Sequence, residues 1–331
     1  ELGEMMRSRN TMLTKLKQDE RRLSAQHTVT QILAEAASVA EALPKILQTI
    51  CECLEWDIGE LWMMDSGSNV LCLAESWHLP SVKAPEFEAM SREITFSPGV
   101  GLPGRVWAGG KPFWITDVTK DANFPRMPVA VKEGLHGANC FPIMVKDEIL
   151  GVMDFFSCKA RQPDDYLLSM MAAIGRQIGL FVKRKQSDEI SKRFSRQNEL
   201  ILNSAGEGIY GINLQGNTTF INPTAARMLG WNLEELIGKH MHSILRHSKP
   251  DGTPCLPEDC QIYAALRNGG VHQVDNEVFW RKDGTSFPVR YTSTPIVEQD
   301  KVVGAVVTFE DITKRKKSDT QIRLQLQRLA V

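Results

Sequence analysis

Apolar residues near the start of the chain recur at three-, four- and seven-residue intervals. Leu2, Met5, Met12, Leu16 and Leu23 make one seam with charged residues between them, which predicts a helix; Arg9 and Asp19 interrupt the seam. The period continues from Ala25 to Leu54 through Val29, Ile32, Leu33, Ala36, Leu43, Ile46, Leu47 and Ile50. Pro44 marks the expected break, because proline is tolerated in a first helical turn and a second helix can start there. The period then changes to two. IGELWMMD and VLCLAESW read as strands joined at SGSN, and NCFPIMV and ILGVMDFF read as a second hairpin turning at KDE. Alternation sends Ile149, Met153 and Phe155 to one face and Leu150, Val152 and Phe156 to the other, so both faces of this sheet should be covered. From Pro163 the helical period returns with Leu167, Met170, Met171, Ile174, Ile178 and Phe181. It runs on through KRKQSDEISKRFSRQNELIL, where Ser187 and Gln197 interrupt the seam of Ile190, Phe194 and Ile201.

A second unit opens with two short strands around QGN, in SAGEGIYGINLQGNTTFIN. PTAARMLGW, LEELIG and CQIYAALRNG are helical, and HQVDNEVFWRK, TSFPVRYTSTPI and VVGAVVTFEDI are longer strands turning at KDG and EQDK. This order predicts an antiparallel sheet with helices on one face. The closing ITKRKKSDTQIRLQLQRLAV is helical again. The fold class is α+β in two domains, each an antiparallel sheet with flanking helices. The expected division is an N-terminal helical linker at 1–24, a first domain at 25–185, a connecting helix at 186–205, a second domain at 206–313 and a C-terminal helix at 314–331.

Composition narrows the functional classes. With 331 residues, 42% hydrophobic, 24% charged and a formal net charge of -1, the chain reads as a soluble globular protein with no electrostatic footprint for nucleic acid. The basic runs at 183–185 and 314–317 are local and read as solvated helix faces. No stretch has the roughly 18–20 apolar residues a membrane span needs, and ELGEMMRSRN has no signal-peptide core. A cytoplasmic location is expected, alone or as part of a larger membrane-associated protein. Seven scattered cysteines, mostly in apolar runs, suit reduced thiols. The opening without Met, inside a helical pattern, suggests an excised fragment.

The densest candidate chemistry lies in HMH followed by HSKPDGTPCLPEDC. His242, His247, Cys255 and Cys260 supply the four ligands of a tetrahedral metal site, which makes a metal- or redox-active unit one alternative. Against it, no CxxC occurs and Pro257 interrupts the Cys255 to Cys260 spacing, so KPDGTP also reads as a turn and Cys260 as a packed residue at a helix start. A thiol at a helix N-terminus can be redox-active, which keeps that role for Cys260 open.

Longer motifs carry a resemblance. FSPGVGLPGRVWAGGKPFWITDV, NFPR, GLHGANCFPI and LGVMDFFS make the first domain similar to a GAF domain of bacterial sensor proteins. GIYGINLQGNTTFINPTAARMLGW, the KDG turn with FPV, and FEDITKRK make the second resemble a PAS domain. The resemblance implies a sensory module that binds a small molecule or senses redox state and relays the signal through helices to an output domain outside the chain. That output is commonly a histidine kinase, less often a diguanylate cyclase or cyclic-di-nucleotide phosphodiesterase. It implies a homodimer through the flanking helices and no catalytic residue in the chain itself. The GAF pocket candidates are Trp62, Trp77, Trp107, Trp114, Phe141, Met153 and Phe155, with Arg105 and Asp117 as polar members. Those of the PAS pocket are Tyr210, Trp231, His242, Cys260, Phe279 and Trp280. Aromatic residues at strand spacing also build plain cores. No short motif names a cofactor; FAD and a metal stay open and the ligand is unknown. Asp311, at the FEDIT junction, is placed to cap the outgoing helix and is the candidate for signal coupling.

Overall fold

The computed structural model describes residues 2–65, 67–245, 253, 256, 258 and 260–329. The chain separates into two units, Glu1–Ser191 and Lys192–Val331. The first begins with helices α1 (Leu2–Glu35) and α2 (Val39–Leu54). The break between them falls at Ser38 and not at Pro44, which lies inside α2. Ser38 is extended, its side-chain oxygen accepts from Glu41 N at 3.2 Å, and the Glu41 carboxylate accepts from Ala37 N at 3.0 Å. This reciprocal cap satisfies free N–H groups that Pro44 cannot help, because proline only removes one donor.

Strands β1 (Ile58–Asp65) and β2 (Val70–His78) follow, then α3 (Pro85–Glu93), α4 (Gly101–Gly109), β3 (Phe113–Ile115), a 3-10 turn at Val118–Lys120, α5 (Met127–Lys132), β4 (Gly137–Val145) and β5 (Glu148–Ser157). They form an antiparallel sheet in the order β2-β1-β5-β4-β3. Helix α6 (Asp165–Ser204) then packs its first half on this sheet. A Cβ on Gly175 would lie 2.1 Å from Pro142 O, and one on Gly179 2.3 Å from Met144 O, so these glycines let the helix backbone approach β4. One sheet face meets α1, α2 and α6 through residues such as Val29, Ile46, Phe141, Phe155 and Ile174. The other lies under α3, α4, α5 and their loops, with Trp62, Phe87, Phe96, Phe124 and Phe156. Fully burying one such aliphatic or aromatic side chain contributes about 1.5–3 kcal/mol.

Both faces are covered, but strict alternation along β5 fails at one end. Ile143 pairs with Gly151 while Met144 pairs with Ile149, leaving Leu150 as a bulged residue. The bulge exchanges sides: Leu150 packs with Phe155 and Met153, and Ile149 with Val152 and Phe156.

The second unit holds the last turns of α6, then β6 (Gly208–Asn213), β7 (Thr218–Ile221), α7 (Pro223–Leu229), α8 (Leu233–Leu236), α9 (Met241–Leu245), α10 (Gln261–Asn268), β8 (His272–Trp280), β9 (Ser286–Glu298), β10 (Lys301–Asp311) and α11 (Thr313–Leu329). Its antiparallel order is β7-β6-β10-β9-β8. Alternate residues of β9, Phe287, Val289, Tyr291 and Ser293, are buried, so a single face carries the core. Among the described residues no helix is long and apolar enough to cross a membrane.

Candidate functional site

Under α3 and α5 the first sheet buries three ionisable side chains, Glu60, Asp154 and Arg126, all without solvent exposure. Glu60 on β1 alternates with Ile58 and Trp62, and Asp154 on β5 alternates with Val152 and Phe156, so both acids occupy core-facing strand positions. The two strands place them directly opposite each other. Arg126 comes from the turn before α5. Its Nη1 donates to Glu60 Oε2 at 2.5 Å and to Ser91 Oγ at 2.6 Å, and Nη2 donates to Asp154 Oδ2 at 3.1 Å. Trp62 Nε1 donates to Asp154 Oδ1 at 3.0 Å.

Five rings enclose the guanidinium, with centroids from its carbon at 4.4 Å for Phe87, 5.1 Å for Phe156, 5.2 Å for Trp62, 5.4 Å for Phe96 and 5.7 Å for Phe124. Two buried atoms keep hydrogen-bonding capacity, the acceptor Glu60 Oε1 and the donor Arg126 Nε. Burial first, and the Glu60 carboxylate second, push Asp154 well above the usual carboxylate range, against the pull of Arg126 and the Trp62 N–H. Cys140, the register partner of Asp154 on β4, is likewise pushed up by burial and then by Asp154, which keeps its thiol protonated.

The residues singled out in the sequence are divided by this sheet. Trp62 and Trp107 lie on the face with the ionic cluster, whereas Trp77, Trp114, Phe141, Met153 and Phe155 pack on the face toward α1, α2 and α6. Arg105 reaches Asp121 at 2.7 Å and lies 4.6 Å over Phe113, outside the cluster. Asp117 starts the 3-10 turn, accepting from Thr119 N and Oγ1. The Thr119 hydroxyl first, then Lys120, His136 and the Thr119 N–H, hold its carboxyl well below the usual range. Glu60, Ser91, Arg126 and Asp154 were missed by sequence reasoning. Their signal was an acid at a core-facing position in each of two strands.

In the second unit Tyr210, Cys260 and Phe279 belong to the buried cluster, where Phe279 stacks on Tyr291 at 5.6 Å and meets Phe309 edge-on at 5.3 Å. Trp280, next along β8, projects to the other side and lies outside that cluster. Trp231 packs at its margin, with Lys282 Nζ 4.7 Å above the ring. His242 meets Tyr263 edge-on at 5.8 Å, and His240 Nε2 lies 3.2 Å from the Tyr263 hydroxyl, whose pKa is pushed up to about 12, chiefly by burial. Cys260 is the residue before α10. His247 and Cys255 lie outside the described residues, and among those described no three His, Cys, Asp or Glu side chains gather as metal ligands.

Both helix junctions of this unit are tied by side chains. Buried Asn222 caps α7, its Oδ1 accepting from Ala225 N at 2.8 Å and Ile209 N at 2.9 Å, while its Nδ2 donates to Leu202 O of α6 at 3.0 Å and Glu207 O at 2.9 Å. At the far end of α7, Arg281 donates to Met228 O and to Asp311 Oδ2 at 3.1 Å. Asp311 Oδ1 accepts from Thr313 N at 2.9 Å and from the Thr313 hydroxyl, fixing the start of α11. Burial raises the Asp311 pKa, but the bonds from Thr313 and Arg281 outweigh it and leave the carboxyl below its usual range.

A sheet burying an ionic cluster under short helices, followed by a one-faced sheet with anchored entry and exit helices, defines a tandem of α+β domains. Residues 36–183 match the GAF domain family and residues 196–312 the PAS fold. The chain therefore carries a GAF domain followed by a PAS domain. Probable diguanylate cyclase DgcE of Escherichia coli K12 is 26% identical over 186 residues, 55% of this chain and 16% of its own length. The signal transduction histidine-protein kinase AtoS of the same organism is 32% identical over 134 residues, 40% of this chain and 20% of its own length. The chain thus spans about a fifth or less of each of these relatives. The GAF domain of a phosphoenolpyruvate-protein phosphotransferase from Coxiella burnetii aligns with a TM-score of 0.45 at 17% identity, over 52% of this chain and 98% of the other.

Proposed function

We propose that this chain is the sensory segment of a signalling protein whose output domain, a histidine kinase, lies outside these residues. Each domain senses a small molecule or redox state, and α11 carries the result onward. The observation that supports this reading best is a hydrogen-bonded route through the PAS domain. It runs from Leu202 of α6 through Asn222 into α7, and from Met228 at the end of α7 through Arg281 and Asp311 to Thr313 of α11. A shift of the entering helix has a contiguous set of polar contacts by which to reach the leaving one.

In this reading residues 25–185 and 206–313 are the sensory units, 186–205 the connecting helix, and Asp311 the coupling residue. The protein is cytoplasmic and dimerises through α1 and α6. Support for the dimer is the exposed apolar seam of Met5, Met12, Leu16 and Leu23 on α1, and of Ile190, Phe194 and Ile201 on α6. The likeness to DgcE favours a second output, a diguanylate cyclase. The test is to assay the full-length protein for ATP-dependent autophosphorylation and for cyclic-di-nucleotide synthesis, with Asp311→Ala beside the wild type. A phosphorylation rate changed about fivefold by the substitution, equivalent to roughly 1 kcal/mol of coupling, is expected. Cyclase activity alone, or an unchanged rate, overturns the kinase output or the coupling role respectively.

A further inference from the structure

The ionic cluster of the GAF domain has an unusual division of labour. Both carboxylates and Trp62 stand on sheet strands β1 and β5, the rigid floor of the domain. The guanidinium between them comes from Arg126, at the N-terminal edge of the six-residue helix α5. The floor and surrounding rings match what a cation seeks: aromatic faces at 4.4–5.7 Å on several sides and two acids beneath. Two acids face one guanidinium, and both Glu60 Oε1 and Arg126 Nε are buried without a hydrogen-bond partner, so the arginine does not saturate the floor it occupies.

We propose that this cage is a binding site for a small guanidinium or amine ligand, and that Arg126 is its tethered occupant in the absence of that ligand. The proposal rests on the sensory reading of the GAF domain and names the ligand class. An anion is the wrong sign here, since it would have to displace the Glu60 and Asp154 carboxyl groups from the single guanidinium in a site closed to water. Displacing Arg126 also has a route outward. Asn123, three residues earlier, accepts from Gly101 N at 2.9 Å and donates to Gly99 O at 2.9 Å, so the Arg126 segment is fastened to the loop that begins α4. Ligand entry therefore moves α5 and the α4 loop together.

The sign of one substitution separates a competitor of Arg126 from a partner of it. Agmatine, which carries a guanidinium and an amine, is titrated into the full chain while tryptophan fluorescence is followed, with Trp62→Phe identifying the responding ring. Saturable binding to the wild type is expected. Arg126→Lys, which retains charge but cannot bridge both acids, should bind agmatine at least about tenfold more tightly, because the cage no longer has to be emptied of its native bridge before the ligand enters. Asp154→Asn combined with Glu60→Gln should abolish binding. Weaker binding to Arg126→Lys, or no saturable signal with either protein, overturns the proposal. If succinate binds the wild type and is lost in Arg126→Lys, the GAF domain is a ligand sensor that uses Arg126 to hold an anion; the sensory reading then stands and the cation assignment falls. Should Arg126→Lys fail to fold, Arg126→Met is refolded with and without methylguanidinium, and absence of saturable recovery of the native melting transition also counts against the cage.

Discussion

The two domains place their charges in opposite ways. The GAF domain hides an arginine and two acids in the middle of a sheet face, fully screened from water. The PAS domain fills the corresponding face with Tyr210, Phe279, Phe287, Tyr291 and Phe309, and keeps its Arg281–Asp311 pair at the end of the sheet with each side chain about a quarter exposed. A charge in the interior is costly unless every partner stays in place, so its geometry is fixed and selective. A charge at a sheet end costs little and serves to aim a helix. In the proposed function, recognition is concentrated in the GAF interior and relay at the PAS rim.

The sharpest way to break this contrast is Arg126→Met, which leaves two buried acids facing each other. Loss of about 3–5 kcal/mol from the GAF domain is expected, from the principle that removing one partner strands a buried charge. Chemical denaturation followed at the GAF tryptophans checks it, and a loss below about 1 kcal/mol would mean that the cluster is not electrostatically coupled. Next in size is Asn222→Ala in the PAS domain. It strands two backbone donors and two backbone acceptors and should destabilise that domain by about 2–3 kcal/mol, at the upper end for an unsatisfied buried group. Hydrogen exchange at Ile209 and Ala225 should rise selectively. Asp311→Ala removes a helix-start acceptor at a partly exposed site and should cost about 1 kcal/mol, with fraying of α11 by circular dichroism.

The pH dependence tests the contrast by sign, because the two domains should slope in opposite directions. Asp154 has a raised folded-state pKa, so above the ordinary carboxylate range the folded GAF domain still holds a proton that the unfolded chain has released. Its stability therefore falls as pH rises through that window, and Asp154→Asn flattens the slope. Asp311 has a lowered pKa, so its contribution is complete above the ordinary carboxylate range and is lost as pH falls through the folded value. Melting the GAF domain from mildly acid to neutral pH, and the PAS domain from mildly acid pH down through the ordinary carboxylate range, checks both signs; parallel slopes would remove the distinction.

Much of the fold was legible because periodicity is a local property. The five strands of the PAS domain, the helices α7, α8 and α10 and the long α6 follow from runs of period two and 3.6, whereas the spatial order β7-β6-β10-β9-β8 does not. Proline misled at position 44 because a cap is a matter of which N–H groups find oxygen, and Ser38 and Glu41 supplied that oxygen earlier. Leu150 and Ile149 exchanged faces because a bulge is set by the partner strand. The candidate site was half legible. Trp62 stands out in the sequence as an aromatic at strand spacing, and Glu60 and Asp154 as acids on core-facing positions. Nothing local joins them to Arg126, which is 66 residues beyond Glu60.

The sequence by itself determined the two α+β sensory units, their elements and their family, because hydrophobic period, turn residues and extended motifs are written in neighbouring positions. Only the tertiary structure decided which side of each sheet every aromatic serves, and which polar residues meet. Those meetings depend on strand register and on where a loop returns across the sheet, so a guanidinium, two carboxylates and five rings became one cage only when the chain folded.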